Sequence, residues 1–369
     1  MKIGLGLYRD MLTPDNFRFA RQAGATHVVI HLVDYSHRPD QEAIAGNDPA
    51  WGVADDMTWG VSANQGQLWT YEELRDIRAM ANAEGVEIAA IENFDPSHWY
   101  DVLLDGPKKA QQLEDLKTII RNIGRAGIPC MGYNFTVAGL WGRTGGDWAR
   151  GRANAIGYNA ASIPPETPIP RGTVWNMVYD LDAPPGDIGT VTEEQIWQRV
   201  TDFLQALLPV AEESGVRLAI HPEDPPVRTL RGTTRLLYAP DRFQRLLDIA
   251  PSKYNALEFC VGTISEMAEG DVYAVTDKFS KQGNIAYVHL RNVHGKVPNY
   301  HEVFVDEGDT NMFEILRILH RNHFDGVIIP DHTPQMTCDA PWHAGMAYAL
   351  GWLKAAITSV ERTSERVTK

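Results

Sequence analysis

A short pattern recurs along most of this chain: a helical segment ends at or near a glycine, and a run of β-branched and apolar residues follows within a few positions. Glycine suits the left-handed backbone that ends a helix, and a continuous apolar run is typical of a strand buried on both faces. Six segments carry the pattern: 22–32, 83–93, 125–135, 213–224, 281–293 and 324–332. Each is predicted to be a helix end followed by a strand.

Two further apolar runs, KIGLGLY at the start and NALEFCVG at 255–262, bring the predicted strands to eight. Helix starts agree, because proline follows Thr13 at a first helical position and both Thr70 and Thr192 begin a capping-box spacing. Alternating strands and helices predict parallel pairing, and eight units favour a closed (β/α)8 TIM barrel, an α/β fold, over an open doubly wound sheet. The predicted helices cover 14–23, 71–84, 108–126, 193–214, 240–250, 272–282, 311–322 and 343–360.

We expect residues 1–369 to form a single barrel domain with two insertions. The connections after strand 2, at about 34–70, and after strand 4, at about 136–192, are far longer than ordinary connections and lie on the catalytic face. Both are rich in glycine, proline and tryptophan. They are interpreted either as ordered lids or a subunit contact, which favours a homo-oligomer, or as structural insertions that pack on their own aromatic side chains.

Composition excludes several classes of function. The net charge of −14 comes without a basic stripe, so we expect no nucleic-acid partner. The sequence has no run of the ~18 apolar residues that a membrane span requires, and Arg9 and Asp10 precede any signal-peptide core, so a cytoplasmic protein without a membrane partner is expected. The three cysteines are expected to be reduced, so each needs a packing or chemical role.

Metal-ligand side chains stand at the ends of four consecutive predicted strands, 5 to 8. These are His221, Cys260, His289 and Asp331. Strand ends converge at one mouth of a barrel, and two imidazoles, a thiolate and a carboxylate suit a borderline divalent ion. Each residue alone is as readily explained by packing or a hydrogen bond. The four together predict a metal site with positions left for a substrate.

Several neighbours of these ligands are candidates for chemistry. Glu223, Asp224 and Glu258 can orient ligands through hydrogen bonds. Arg291 is predicted to bind a substrate carboxylate, with pairing to one of these acids as the alternative. His332, next to Asp331, is a candidate general acid or base, and its alternative is a hydrogen bond to a ligand.

At these motifs the chain resembles the mannonate dehydratases of the xylose-isomerase-like barrel superfamily. The resemblance lies in AIHPEDPP, the cysteine that ends strand 6, VHLRN, PDH and YNF at 133–135, and it is strongest over roughly 215–335. It implies that His221, Cys260, His289 and Asp331 bind Mn²⁺ or a similar ion, with Fe²⁺, Co²⁺ and Zn²⁺ as alternatives. It also implies that His332 is the acid or base.

The chain departs from this family in segments that would contact the substrate. After YNF it reads TVAGLWGRT, which keeps Trp141 and Arg143 but lacks the family's aspartate. Around strand 2, His31 is only a loose counterpart of the family's histidine. Where the family has Pro-Gly-Tyr, this chain has Pro-Trp-His, so His343 is predicted to share proton transfer with His332, the alternative being a first-turn residue of the last helix with no chemistry.

The expected function is that of a metal-dependent sugar-acid dehydratase, a hydro-lyase that converts an aldonate such as D-mannonate to a 2-keto-3-deoxy acid. A keto-sugar isomerase or epimerase of the same superfamily would use a similar metal without losing water. Its usual Glu and Asp ligands have candidates here in Glu92 and Asp224. A sugar-acid binding barrel without catalysis is the third alternative. The glycines at 4–6 lack the full dinucleotide-binding fingerprint.

Overall fold

The computed structural model describes residues 1–35, 60–62, 66–162 and 165–367. Eight parallel strands close into a barrel in chain order, with the last strand paired to the first through Lys2 and Val327. These barrel strands, β1 to β8, are Lys2–Leu7, His27–His31, Glu87–Glu92, Cys130–Tyr133, Arg217–Ile220, Asn255–Cys260, Ile285–His289 and Val327–Ile329. The predicted TIM barrel is therefore confirmed.

Ten α-helices lie in the described ranges. Helices α1 to α10 are Pro14–Gln22, Tyr71–Ala83, Pro96–Leu104, Lys109–Arg125, Glu193–Ser214, Asp241–Ile249, Val261–Glu266, Val272–Lys281, Met312–Arg321 and Pro341–Val367. The hydroxyls of Thr13, Thr70 and Thr192 each accept a hydrogen bond from the backbone N–H group three residues later. At Thr192 the Gln195 side chain bonds back to the backbone, which completes the predicted capping box. The sequence did not predict α3 and α7. Helix α7 starts directly after β6, so its apolar residues read as a continuation of the strand.

The barrel interior is filled by small and aromatic side chains. The inner cluster consists of Val29, Ala90, Cys130, Ala219, Ala256, Tyr287, Val327 and Ile329, while a larger apolar core lies between the strands and the helices. Burial raises the pKa of the Cys130 thiol to about 12, so this cysteine packs as an apolar residue. The three cysteines are free: Cys130 and Cys260 are buried and Cys338 is exposed.

Two insertions meet in an antiparallel sheet over the barrel mouth. After β4 the chain forms the strands Arg143–Ala149 and Ala153–Asn159, and after β7 it forms the hairpin Asn292–Lys296 and Asn299–Val303. The sheet order is 292–296, 299–303, 153–159 and 143–149. The remaining short strands are Gly60–Val61, Thr173–Val174 and Met177–Val178 in one sheet, and Thr229–Leu230 and Thr233–Thr234 in another.

Only part of the predicted insertion at 34–70 falls within the described residues; Trp51 and Trp59 lie outside them. In the insertion at 136–192, Trp141 and Trp175 are buried, and Trp148 is 41% exposed. That residues 1–369 form one domain stays a prediction. Across the described ranges, the helices are too short or too polar to cross a membrane.

Candidate active site

The four predicted metal ligands converge at the carboxyl ends of β5 to β8. One donor atom each from His221, Cys260 and His289 lies within 4.8 Å of the other two. Asp331 follows β8, and its Oδ1 is 3.5 Å from His289 Nδ1. Its backbone is left-handed, with φ of 66°, a conformation in which aspartate is enriched among non-glycine residues. Neighbouring parallel strands thus assemble the set from distant parts of the chain.

Charges around Cys260 favour its thiolate form. Burial by itself would raise the pKa of the thiol, but the positive charge of Arg291 and the neighbouring imidazoles of His221 and His289 outweigh it and hold the pKa well below the ordinary value. The Thr263 hydroxyl also donates to Sγ at 3.1 Å. Conversely, burial would lower the pKa of His221, but the bond to Cys260 raises it to about 9. The thiolate, the form that binds metals, is therefore stabilised before any ion enters.

The two histidine rings have defined orientations. Nδ1 of His221 lies 2.5 Å from the carbonyl oxygen of Pro222 and donates to it, which leaves Nε2 as the nitrogen that would bind a metal after losing its proton. Nε2 of His289 lies 3.3 Å from Glu258 Oε1 and 3.4 Å from Glu92 Oε2, while its Nδ1 faces Asp331. Carboxylates behind a ligand imidazole fix its ring and raise its basicity.

The carboxyl groups below His289 have divergent pKa values. Burial and the neighbouring Glu92 raise the pKa of Glu258 well above its usual range. Burial would also raise the pKa of Glu92, but His31 and His289 outweigh it and lower the value to about 2. The pKa values of the two neighbouring carboxyls are thus shifted in opposite directions.

The donor set fits a divalent cation. Within the described part of the chain, both nitrogens of His289 and both carboxyl oxygens of Glu258 are fully buried without a hydrogen bond. Buried polar atoms are ordinarily satisfied, so such a cluster indicates a missing partner. Imidazole, thiolate and carboxylate together suit a borderline ion such as Mn²⁺, Fe²⁺, Co²⁺ or Zn²⁺.

Arg291 is paired with acidic side chains. It is 2% exposed. Its Nε lies 3.0 Å from Asp331 Oδ2, its Nη2 lies 2.7 Å from Asp224 Oδ2, and its Nη1 contacts Glu266 and lies 3.3 Å from Glu302 Oε1. Pairing with acids, the alternative left open by the sequence, is what the structure shows, although Arg291 does line the cavity above the metal ligands.

The His332 side chain reaches the same cavity. Its Nδ1 lies 3.0 Å from Glu302 Oε1 and its Nε2 lies 3.6 Å from Asp331 Oδ1. Burial would raise the pKa of Glu302, but His332 and Arg291 lower it, so an ionised carboxylate accepts the Nδ1 proton. In this tautomer the lone pair of His332 is on Nε2, the nitrogen that faces Asp331.

His343 is not brought together with the other predicted residues. It lies in the first turn of α10, with Nε2 3.1 Å from Asn16 Oδ1 and its ring against Phe19 and Trp342. Among the described residues it does not line the cavity. This position matches the alternative of a first-turn residue, since the helix start turns the side chain towards α1.

Two tyrosines near the site, Tyr300 and Tyr35, were not predicted from the sequence, and of these Tyr35 lines the cavity. On the antiparallel sheet, Arg143 pairs with Asp224, and the Tyr300 hydroxyl donates to Asp224 Oδ1 at 2.9 Å. Near β2 and β3, His31 and Tyr35 join Glu92 in the cavity wall. A hairpin signal was available for Tyr300, since Gly295 and a Pro-Asn pair separate two short β-rich runs. For Tyr35 the sequence gives no comparable signal.

The family model described as D-mannonate dehydratase (UxuA) matches residues 22–364. The chain belongs to this family. The expectation of an enzyme is thereby confirmed, because the family is one of dehydratases, which are hydro-lyases.

Individual family members are similar over most of the chain. The mannonate dehydratase of Streptococcus pneumoniae (strain 70585) is 30% identical over 278 residues, covering 72% of this chain and 75% of that protein. The mannonate dehydratase of Thermotoga maritima is 28% identical over 289 residues, covering 72% and 78%. The resemblance stated from the sequence motifs is therefore confirmed.

Solved structures show the same fold. The mannonate dehydratase of Streptococcus suis serotype2 superposes with a TM-score of 0.77 at 24% identity, covering 99% of this chain and 95% of that one. An L-ribulose 3-epimerase matches with a TM-score of 0.56 at 13% identity, covering 100% and 98%. The epimerase shares the barrel, but the family match favours a dehydratase over the isomerase or epimerase alternative.

Proposed function

We propose that this protein is a metal-dependent dehydratase of a sugar acid, with an aldonate such as D-mannonate as substrate and a 2-keto-3-deoxy acid as product. The observation that carries the proposal is the convergence of His221, Cys260, His289 and Asp331 at one mouth, with His332 beside them in the same cavity. Family membership supports the reaction, and the names of the relatives support the substrate.

The four ligands would hold Mn²⁺, or Fe²⁺, Co²⁺ or Zn²⁺ in its place. When bound, such an ion stabilises negative charge on substrate oxygens. Cys260 makes the site softer than an all-oxygen site, and Asp331 supplies the hard ligand. Glu258 and Glu92 hold the His289 ring in place from below.

We assign proton removal to His332. Dehydration of an aldonate begins with loss of the weakly acidic proton next to the carboxylate, which requires a positioned base. Glu302 holds the Nδ1 proton of His332, so Nε2 accepts the substrate proton, and the resulting imidazolium lies between the carboxylates of Glu302 and Asp331. His343 has no part in this step, since its ring lies against α1 and outside the cavity wall.

Arg143 is a better candidate than Arg291 for binding the substrate carboxylate. Its side chain is 7% exposed and lines the cavity, and its Nε has no hydrogen-bond partner among the described residues. We assign Arg291 the role of holding Asp331 and Asp224 in position, because its three nitrogens already contact protein acceptors.

The test is incubation of the metal-loaded protein with a panel of hexonates and pentonates, followed by mass spectrometry. Loss of one water with formation of a keto acid supports the proposal. A product of unchanged mass would indicate an isomerase, and tight binding without turnover would indicate a binding protein. His332→Ala is the matched variant: it should abolish turnover and retain the metal.

The wider setting of the protein is proposed from its composition and fold. A single domain over residues 1–369, a cytoplasmic location, a homo-oligomer and the lack of nucleic-acid or membrane partners all follow the expectations from the sequence. Size-exclusion chromatography with light scattering measures the oligomeric state directly.

A further inference from the structure

The cavity wall contributed by β2 and β3 carries a connected set of proton-bearing side chains apart from the metal ligands. Tyr35, His31, Asn93 and Glu92 all line the cavity that contains His332 and Asp331. Tyr35 is 6% exposed and His31 is 7% exposed. Their rings pack against Tyr8, and Trp175 packs against Tyr35, so the hydroxyl is held by a rigid aromatic cluster.

Hydrogen bonds give this set a direction. The Asn93 amide donates to the Tyr35 oxygen at 3.0 Å, and His31 Nδ1 lies 2.9 Å from the same oxygen. On the other side of the ring, His31 Nε2 lies 3.8 Å from Glu92 Oε2. A carboxylate at this position favours the doubly protonated imidazole, and in that form His31 Nδ1 donates to the tyrosine oxygen. A tyrosine oxygen that accepts these two bonds keeps its own O–H as a donor.

The proposed reaction requires a donor of this kind. Elimination expels hydroxide from the carbon next to the one that loses its proton, and hydroxide departs readily only when it is protonated. His332, which accepts the first proton, cannot donate in the same step. A concerted elimination therefore requires a second group, and His343 does not line the cavity.

We propose that Tyr35 is the general acid of the dehydration and that His31 is its positioning residue and proton source. This inference rests on the proposed function. As the C3–O bond breaks, its electron pair stays on oxygen, the Tyr35 O–H bond breaks, and water forms. The C2–H electron pair becomes the C2=C3 bond of an enol. His31 passes its Nδ1 proton to the tyrosine oxygen, and Glu92 remains a carboxylate. The enol becomes the keto acid by gaining a proton at C3 and losing its O–H proton, without any redox change. The His332 imidazolium then releases its proton to solvent, and His31 regains one from solvent.

The test compares two leaving groups at C3 of the same sugar acid, hydroxyl and fluoride. Fluoride departs without a proton, so it bypasses a general acid but still needs a base. For Tyr35→Phe, which keeps the packed ring, kcat should fall ~100-fold or more with the hydroxyl substrate and less than ~10-fold with the fluoro compound. His332→Ala should lose turnover of both, since removal of the C2 proton precedes either departure.

The control is Tyr179→Phe, which removes a hydroxyl from a ring stacked on Tyr100, outside the cavity wall. It should match the wild type with both compounds. His31→Gln keeps a hydrogen-bond donor but no ionisable ring, so it should lower kcat with the hydroxyl compound, leave KM within a few-fold, and retain turnover of the fluoro compound. Metal content and melting temperature of each variant establish that it is folded.

Unchanged kcat of Tyr35→Phe with the hydroxyl compound, or an equal loss with both compounds, overturns the assignment of Tyr35 while the dehydratase function stands. Wild-type kcat in His31→Gln removes His31 from the transfer. Failure of the wild type to eliminate from either compound overturns the proposed function and this inference together.

Discussion

Replacement of Arg291 by methionine should destabilise the fold even when no metal or substrate is present. The guanidinium is almost fully buried and contacts four carboxylates, those of Asp224, Glu266, Glu302 and Asp331. Methionine fills a similar volume but removes the cation that these acids share, and Glu266 has no other ion-pair partner among the described residues. Removing one partner of a buried ion pair costs about 3–5 kcal/mol, because the remaining charge is neither solvated nor paired. We expect a loss of that size in the free energy of unfolding.

Arg291→Lys should lose less stability than Arg291→Met, because lysine retains the charge. It should still lose some, because lysine lacks the planar guanidinium that reaches several acceptors. The assay is urea unfolding followed by circular dichroism, on protein treated with a chelator so that metal loss makes no contribution. Arg317→Met is the matched control: its partner Glu314 lies 3.3 Å away on the surface, and its own side chain is 54% exposed. A change of no more than about 0.5 kcal/mol is expected there. Equal stability of Arg291→Met and this control would refute the reasoning.

Three further predictions follow from the site and the fold. Cys260→Ala should reduce metal affinity by at least ~10–100-fold, because replacing a residue that only supports a ligand already causes a loss of that size. Elemental analysis measures the metal content, with Cys338→Ala as the control. Undiminished metal content would remove Cys260 from the ligand set. The pKa of Glu92 is lowered on folding from 4.5 to about 2, so its stabilising contribution is present above pH 4.5 and lost as pH falls towards about 2. Glu92→Gln should flatten this acid dependence in chelator-treated protein, and an unchanged slope of unfolding free energy against pH would contradict it. Thr192→Ala should lower the free energy of unfolding by about 1 kcal/mol, because it removes the capping box of α5. The control is Thr358→Ala, at an exposed helix position. Equal melting temperatures of the two variants would show that the cap contributes nothing.

The barrel and its metal ligands were predictable because both depend on short-range patterns and one geometric rule. The glycine that ends each helix and the apolar run after it mark the strands, and predicted helix bounds such as 193–214 agree with the structure. Once the strands are placed, closure of the parallel barrel brings their carboxyl ends together, so His221 and Asp331 are expected at the same mouth.

The rest of the site depends on contacts that the sequence does not encode locally. Tyr300 reaches Asp224 because the hairpin after β7 pairs with the insertion after β4, and that pairing depends on two distant segments. His343 shows the opposite case. It is close in sequence to Asp331, yet the start of α10 directs its ring to Asn16.

The antiparallel sheet over the mouth makes the two insertions structurally dependent on each other, because their strands pair in register. Its register aligns Arg143, Tyr158 and Tyr300 in one row, and the first and last of these contact Asp224. A slip of one residue in either insertion would turn the row to the opposite face of the sheet. A change in one insertion that shifts this row therefore requires a matching change in the other. Grafting one of them alone onto a related barrel would transfer its strands but not the paired contacts with Asp224.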